Sequence, residues 1–142
     1  MKYWKDSKNE IRKVRKDKSM ARSIYKMIEV RSKAIKLLDN EMFTSLKVES
    51  YYEIIKEIIT AMMVIDGYKT LSHEVLIGYL KEFHDEFADS DIIFIDGLRQ
   101  LRNKIAYKGF FVNIYYMERN EERLESLSNK LRDILKMKLE RE

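Results

Sequence analysis

Apolar residues recur at three- and four-residue steps in five stretches of the chain, with short polar segments between them. The first stretch runs from Met20 to about Leu38, and the second from about Val48 to Ile65. This spacing brings apolar side chains to one side of an α-helix, so each stretch predicts a helix with a buried stripe. The second stretch is apolar on most of its circumference, which favours a central position in the fold.

The three later stretches carry helix start and stop signals. They are expected to run from Thr70 or Ser72 to about Phe87, from Ile92 to about Lys108 behind the opening Asp89-Ser90-Asp91, and from a start between Asn113 and Met117 to about Met137. Gly67 and Gly109 follow the second and fourth predicted helices and are placed to take the left-handed conformation there. The segment Asp39-Asn40-Glu41 is expected to end the first helix. Gly78 lies inside the third, where glycine favours the close approach of another helix.

Composition supports a single all-α domain that spans residues 1–142. The chain has no proline and only four glycines, and Lys, Glu, Ile, Leu, Met and Arg dominate it, so long helices are favoured. Short connections predict an up-and-down antiparallel bundle of four principal helices plus an N-terminal helical segment. Residues 1–18 are nearly all charged, and two alternatives stay open for them, a basic arm or a short helix.

Charge and cysteine content narrow the class of protein. Residues 1–36 hold 13 Lys and Arg against 4 Asp and Glu, although the whole chain has a formal net charge of only +4. Such a segment can attract nucleic acid, but Lys-rich helix surfaces more often serve solubility alone. The absence of cysteine indicates a reducing compartment. The most apolar run, Ile54 to Ile65, is interrupted by Lys56 and Glu57, so we expect a cytoplasmic protein without membrane contact.

The segment from Leu98 to Gly109 is the main candidate for chemistry. On a helical wheel Arg99, Arg102, Asn103, Ala106 and Tyr107 fall within about 140° of one another, on one side of the helix. Apolar residues flank Arg102, so its guanidinium lies at the margin of the apolar stripe and needs a partner. That partner is either a phosphate of RNA or a carboxylate of a neighbouring helix, and both alternatives stay open.

The spelling Arg102-Asn103-x-x-Ala106-Tyr107 resembles the signature of the HEPN domain, a small helical family in which Arg and a polar residue precede a His. The resemblance extends over roughly residues 20–137, because Tyr51 to Glu57, Asp66 to Lys69 and Ser72-His73 are similar to the family's second helix, turn and third helix. It implies a helical bundle, a homodimer whose signature helices face one cleft, and RNA or a nucleotide as ligand. It also implies a metal-independent RNase toxin with a nucleotidyltransferase antitoxin as protein partner.

Tyr107 occupies the position at which the family has its catalytic histidine. A phenol ionises near pH 10 and an imidazole near pH 6.5, so Tyr107 suits binding better than proton transfer. Whether the protein is an enzyme is therefore open. The predicted catalytic set is Arg102, Asn103 and Tyr107, and the predicted RNA-binding set is Arg99, Lys104 and Lys108. The alternatives are a noncatalytic scaffold module with a structural Arg102, and nucleic-acid binding through the basic N-terminal segment.

The two histidines and the aromatic residues give weaker signals. His73 and His84 are 11 residues apart, which separates them by about 16 Å along one helix, too far for one metal ion. We expect His73 in a first helical turn beside Ser72, His84 on an acidic surface, and neither a metal nor another cofactor. A further group of rings is expected to be mostly core or dimer contact rather than a stacking surface for nucleotides: Tyr107, Phe110, Phe111, Tyr115 and Tyr116.

Overall fold

Five α-helices build the fold in the computed structural model, which describes residues 2–141. They are α1 (Lys18–Ile35), α2 (Asn40–Asp66), α3 (His73–Phe83), α4 (Asp89–Lys108) and α5 (Ile114–Glu140). The all-α helical bundle predicted from the sequence is thereby confirmed. Helix α2 is its centre, because it packs against the other four helices and buries residues on every side.

Local capping groups decide where the helices begin and end. Gly67 and Gly109 take the predicted left-handed conformation, with φ of 89° and 62°. Helix α2 begins eight residues before the expected Val48, because the Asp39 carboxylate caps its first turn by accepting a hydrogen bond from the Met42 amide. Asp39 therefore starts α2 as well as following α1. Helix α3 is shorter than expected and ends at Phe83.

The N-terminal segment is packed onto the bundle. Two short 3₁₀ turns, Trp4–Asp6 and Lys8–Glu10, lead into β1 (Ile11–Lys13), which pairs antiparallel with β2 (Tyr68–Thr70). Residues 2–17 therefore match neither of the two alternatives, a loose arm or an α-helix, because they form 3₁₀ turns and a paired strand. Met1 lies outside the described residues.

Another helix was expected to approach Gly78 closely. The residue that approaches it is instead Lys2 of the N-terminal segment. A Cβ atom at Gly78 would lie 2.3 Å from the backbone oxygen of Lys2, so only glycine fits. The Trp4 ring then packs edge-on against Tyr68 and Phe83, with centroid distances of 5.1 and 5.3 Å. The close approach at Gly78 thus anchors the start of the chain to α3.

The buried core lies between α2 and the apolar stripes of its neighbours. Ile92, Ile95 and Leu98 face inward from α4, and Leu124, Leu131 and Leu135 from α5. No helix in the described part of the chain is both long and apolar enough to cross a membrane. Because the inner side of α4 is held by this core, its other side is presented in a fixed orientation.

Candidate functional site

Arg102 lies at the margin of the apolar stripe of α4, as the helical wheel predicts. It is half-buried, between the partly buried Leu101 and Asn103 and one turn past the buried Leu98. Its guanidinium donates a hydrogen bond of 3.4 Å to the side-chain oxygen of Asn103 and lies 5.8 Å from the centroid of the Tyr107 ring. The three residues of the signature therefore form one contiguous group on the surface of α4.

No carboxylate among residues 2–141 forms an ion pair with Arg102. The structural alternative of a guanidinium held by an acidic residue of a neighbouring helix is therefore not realised. Arg102 instead lines a groove of about 500 Å³ together with side chains of α1 and α2, among them Arg31, Leu46, Glu49 and Glu53. The guanidinium keeps donors available for a ligand that enters this groove.

Arg99 forms an ion pair within α4, whereas the lysines Lys104 and Lys108 of the same helix do not. The Arg99 Nε atom is 3.0 Å from a carboxylate oxygen of Asp96, and both side chains are largely buried. Gln100 donates to the other oxygen of the same carboxylate. Lys104 and Lys108 are exposed and form no ion pair with any described residue. The lysines are thus free cations one helical turn apart, whereas Arg99 is committed to its own helix.

The aromatic residues around Gly109 were expected to be mostly core or dimer contacts, and most of them are not core, whereas the dimer contact stays a prediction. Tyr107 is 76% exposed and Phe111 is 87% exposed, and Phe110 and Tyr115 also lie on the surface. Only Tyr116 is partly buried, and burial raises its pKa. The cause is the left-handed turn at Gly109, after which the chain runs along the surface and is held to α2 by a hydrogen bond from the Val112 amide to the Ser45 hydroxyl. Rings and free lysines therefore share the outer side and end of α4.

His73 contacts the central helix α2, which sequence spacing did not reveal. It is the first residue of α3, as expected, and Ser72 caps the helix by accepting from the Val75 amide. The His73 Nδ1 atom lies 3.0 Å from the hydroxyl oxygen of Tyr52 on α2, and the two rings are 5.8 Å apart. This Tyr52–His73 pair joins α2 to α3.

Electrostatics connect the Tyr52–His73 pair to α4. Burial lowers the pKa of His73 from its ordinary 6.5, and the positive charges of Lys56 and Arg102 lower it further. Burial raises the pKa of Tyr52, while Arg99 and Arg102 act in the opposite direction. The cations of α4 are thus close enough to influence both members of the pair, and the imidazole is neutral at neutral pH.

Little in the sequence indicated that Tyr52 and His73 would be in contact. Tyr52 and His73 are 21 residues apart and sit on different helices, so no helical periodicity relates them. The one signal in the sequence was that both fall in the stretch with a resemblance to the HEPN second and third helices.

His84 is placed differently from the expectation of an acidic surface. Its imidazole is buried, with only 8% of the residue exposed, and its Nε2 atom is 3.4 Å from the hydroxyl of Tyr79. Only the Nδ1 edge reaches an acidic residue, at 3.3 Å from the Glu86 carboxylate. The early end of α3 at Phe83 turns His84 inward. Within residues 2–141, no cluster of three or more His, Asp or Glu side chains is arranged to hold a metal ion.

Comparison of this chain with protein-family models, with curated proteins and with solved structures found no match. Its function is therefore inferred from the side chains of α4 and the residues around them.

Proposed function

We propose that the protein is an HEPN-like protein that binds RNA or a nucleotide on the outer side of α4. The observation that carries this proposal is the half-buried Arg102, which contacts Asn103 and Tyr107 and has no carboxylate partner among the described residues. A planar guanidinium can hold two phosphate oxygens at once. An amide beside it suits a sugar or base edge, and an exposed ring suits stacking of an unpaired base.

Lys104 and Lys108 extend the positive charge along α4. Each exposed lysine that neutralises a phosphate releases a counterion, which strengthens binding at low salt and makes it sensitive to ionic strength. Arg99, held by Asp96, supports the site through its charge rather than through direct contact. The proposed ligand is single-stranded, because stacking on Tyr107 or Phe111 requires unpaired bases.

The proposal includes a homodimer. A second α4 across a two-fold axis would double Lys104 and Lys108 and cover exposed rings of the Gly109 turn. The resemblance to the HEPN family further supports a cytoplasmic toxin that cleaves RNA and is neutralised by a nucleotidyltransferase-type antitoxin. Cleavage needs a group that transfers protons near neutral pH, and the exposed phenol of Tyr107 is poorly suited to that task.

The second candidate function is a noncatalytic interaction module with a structural Arg102. The exposed apolar side chains near α4 and the start of α2 favour it, since Phe111 is 87% and Met42 77% exposed. In this case Arg102 would orient Asn103 and Tyr107 for a protein partner, and RNA would not bind.

The test is fluorescence anisotropy with a labelled, unstructured single-stranded RNA over a series of salt concentrations. Replacing Lys104 and Lys108 together by Ala should weaken binding about 10-fold and reduce the slope of log K against log salt by about 1.4. Arg102→Ala should weaken binding at least as much while the far-UV circular dichroism is unchanged.

The matched control replaces Lys33 in the last turn of α1 and Lys36, the residue that caps its end; both are exposed, and they lie three residues apart. An equal loss of affinity in this control would assign binding to general charge, including that of the basic N-terminal region, and would contradict the α4 site. Absence of RNA binding by the unaltered protein at micromolar concentration would favour the interaction module.

A further inference from the structure

A cavity of about 260 Å³ lies between α1, α2 and α5 and shares no residue with the groove at Arg102. Its lining includes a buried hydroxyl and a guanidinium that have no partner among residues 2–141. We propose that the cavity binds an aliphatic α-amino acid, whose carboxylate is held by Arg132 and whose ammonium group is held by Glu29. This assigns a second ligand site to the protein, and it does not depend on RNA binding at α4.

Helix faces that repeat every four residues bring the polar groups to the cavity. Glu29 and Lys33 lie one turn apart on α1, and Ser128 and Arg132 lie one turn apart on α5. Residues four positions apart share one side of a helix. Tyr51, which is 4% exposed, lines the cavity from the central helix α2. The lining therefore belongs to three helices whose positions are fixed by the core.

Ser128 indicates that the cavity takes a polar ligand. The residue is 6% exposed, and its hydroxyl is buried without a hydrogen-bond partner among the described residues. Such a group is costly, because it loses its bonds to water and gains none in return. Rotation about its χ1 bond turns the hydroxyl among three staggered positions. A polar atom of a ligand in the cavity can therefore supply the missing partner.

Arg132 is the anchor for a carboxylate. The residue is half-buried, and its guanidinium forms neither an ion pair nor a hydrogen bond with any other residue among 2–141. Partial burial removes water from a guanidinium without removing its charge, so it gains from an anionic partner. The planar fork of the guanidinium matches the two oxygens of a carboxylate.

The charges at the cavity favour a zwitterion over an ion of one sign. Charged side chains of both signs line it: Lys33, Lys36, Arg132, Glu29 and Glu125. A dicarboxylate or a phosphate would face the two glutamates as like charges, and an amine alone would face the three cations. Glu125 lies 3.5 Å from the Tyr51 hydroxyl, whereas Glu29 forms no ion pair or hydrogen bond with another described residue. Glu29 is therefore the carboxylate that is available for an ammonium group.

The size and the apolar part of the lining narrow the ligand further. Sites for drug-sized ligands usually enclose about 300 to 1,000 Å³, so this cavity suits a smaller molecule. Ile35 and Ile54, which are 3% and 1% exposed, belong to the lining. They can pack against an aliphatic side chain, which gains free energy by leaving water. Leucine meets these requirements of charge, size and side chain.

The experiment is isothermal titration calorimetry with the full chain and L-leucine as the probe. Leucine should bind with a Kd of about 0.1 mM or lower, an affinity within reach of a ligand of this size. Isocaproate and isoamylamine are the matched probes, because they keep the alkyl chain of leucine and lack its ammonium group and its carboxylate, respectively. Each should bind at least about 10-fold more weakly than leucine, since one charged contact is missing.

Variants test the two residues assigned to the charged ends of the ligand. Arg132→Gln and Glu29→Gln should each weaken leucine binding by about 10-fold or more without changing the far-UV circular dichroism. Arg119→Gln is the matched control, because Arg119 is an exposed arginine of the same helix that lies outside the cavity. Its affinity for leucine should equal that of the unaltered protein.

Ser128→Ala separates a ligand contact from a structural one. The variant lacks a hydroxyl that has no partner among the described residues, so the urea midpoint of the ligand-free protein should stay the same or rise. Leucine binding should weaken by about fivefold, because one hydrogen bond to the ligand is lost. A hydroxyl that serves α5 alone would give the reverse, a lower midpoint with unchanged affinity, and that result would overturn the role of Ser128.

Three other results would overturn the amino-acid site. The first is no binding of leucine at about 5 mM. The second is equal binding of leucine and isocaproate, which would indicate a simple anion site. The third is an equal loss of affinity in Arg132→Gln and Arg119→Gln, which would assign the effect to net charge. All three leave RNA binding at α4 standing, and a failure of RNA binding would leave the leucine site standing.

Discussion

The hydroxyl of Tyr79 makes a buried contact whose removal should have a measurable cost. Tyr79 lies on α3 and is fully buried, and its hydroxyl donates a hydrogen bond to a carboxylate oxygen of Asp66 at the end of α2. Lys138 of α5 donates to both oxygens of the same carboxylate, at 2.9 and 3.1 Å. Three helices thus meet at Asp66, and Tyr79→Phe removes one of its donors without changing the ring.

The expected loss follows from the charge and the exposure of the acceptor. A hydrogen bond to a charged group contributes about 1.5 to 3 kcal/mol, about twice the value for a neutral pair. The Asp66 side chain is 32% exposed and keeps both bonds from Lys138, so water can replace part of what is lost. The lower end of the range, about 1.5 kcal/mol, is therefore expected. With a urea m value of about 2 kcal/mol/M, the unfolding midpoint should fall by about 0.7 M.

The assay is urea unfolding followed by far-UV circular dichroism, which reports directly on the helices. Tyr115→Phe is the matched control, because that ring is 57% exposed, and its free energy of unfolding should change by less than about 0.5 kcal/mol. If the two substitutions had equal effects, the Asp66 carboxylate would not depend on Tyr79 for its stabilisation.

Two other perturbations test the packing of the N-terminal segment and a buried lysine. Gly78→Ala would place a methyl group against the Lys2 backbone and should displace the N-terminal segment from α3. The fluorescence of Trp4, the sole tryptophan, should then shift to the red. Gly97→Ala is the control, because its methyl group would meet no atom within 4 Å, and it should stabilise α4 by up to about 1 kcal/mol. An unchanged Trp4 spectrum in Gly78→Ala would contradict the close approach. Burial raises the pKa of Glu121, but hydrogen bonds from Lys47, Asn40 and Tyr51 outweigh it and hold that pKa below the ordinary 4.5. This contribution to stability is present above pH 4.5 and is lost as the pH falls through the lower native pKa. In Lys47→Met the native pKa of Glu121 should rise, so the urea midpoint should fall less on acidification below pH 4.5 than in the unaltered protein, and identical pH dependences would refute the role of Lys47.

The helices were predictable because their signals are local. Apolar spacing marked α1, α4 and α5 within a few residues, and Gly67 and Gly109 marked two helix ends through the backbone conformation that glycine favours. The paired strands were not predictable in the same way. Each has only three residues, too few for a pattern of its own, and Ile11 pairs with Thr70 although the whole of α1 and α2 lies between them in the chain.

In the candidate site, too, the features set by local spacing were predictable and those set by the path of the chain were not. The position of Arg102 at the edge of the apolar stripe follows from the helical wheel, and the pairing of Arg99 with Asp96 follows from a three-residue spacing that can be read in the sequence. The exposure of Phe111 does not follow from hydrophobicity, because it depends on where the chain goes after Gly109.

The Tyr52–His73 pair depends on how α2 and α3 pack beside α4, which no spacing within one helix can specify. Tyr52 is an apolar-face residue of the central helix, and His73 starts the next helix after the turn at Gly67. Each residue alone suggests core packing or helix capping, and the 3.0 Å contact between them follows only from how the two helices pack. Helix α4 presents the guanidinium of Arg102 without a carboxylate partner among residues 2–141, and an exposed phenol at position 107. The phenol at position 107 is poorly suited to proton transfer near neutral pH, which argues against Tyr107 as a general base without arguing against the binding of a phosphate by Arg102.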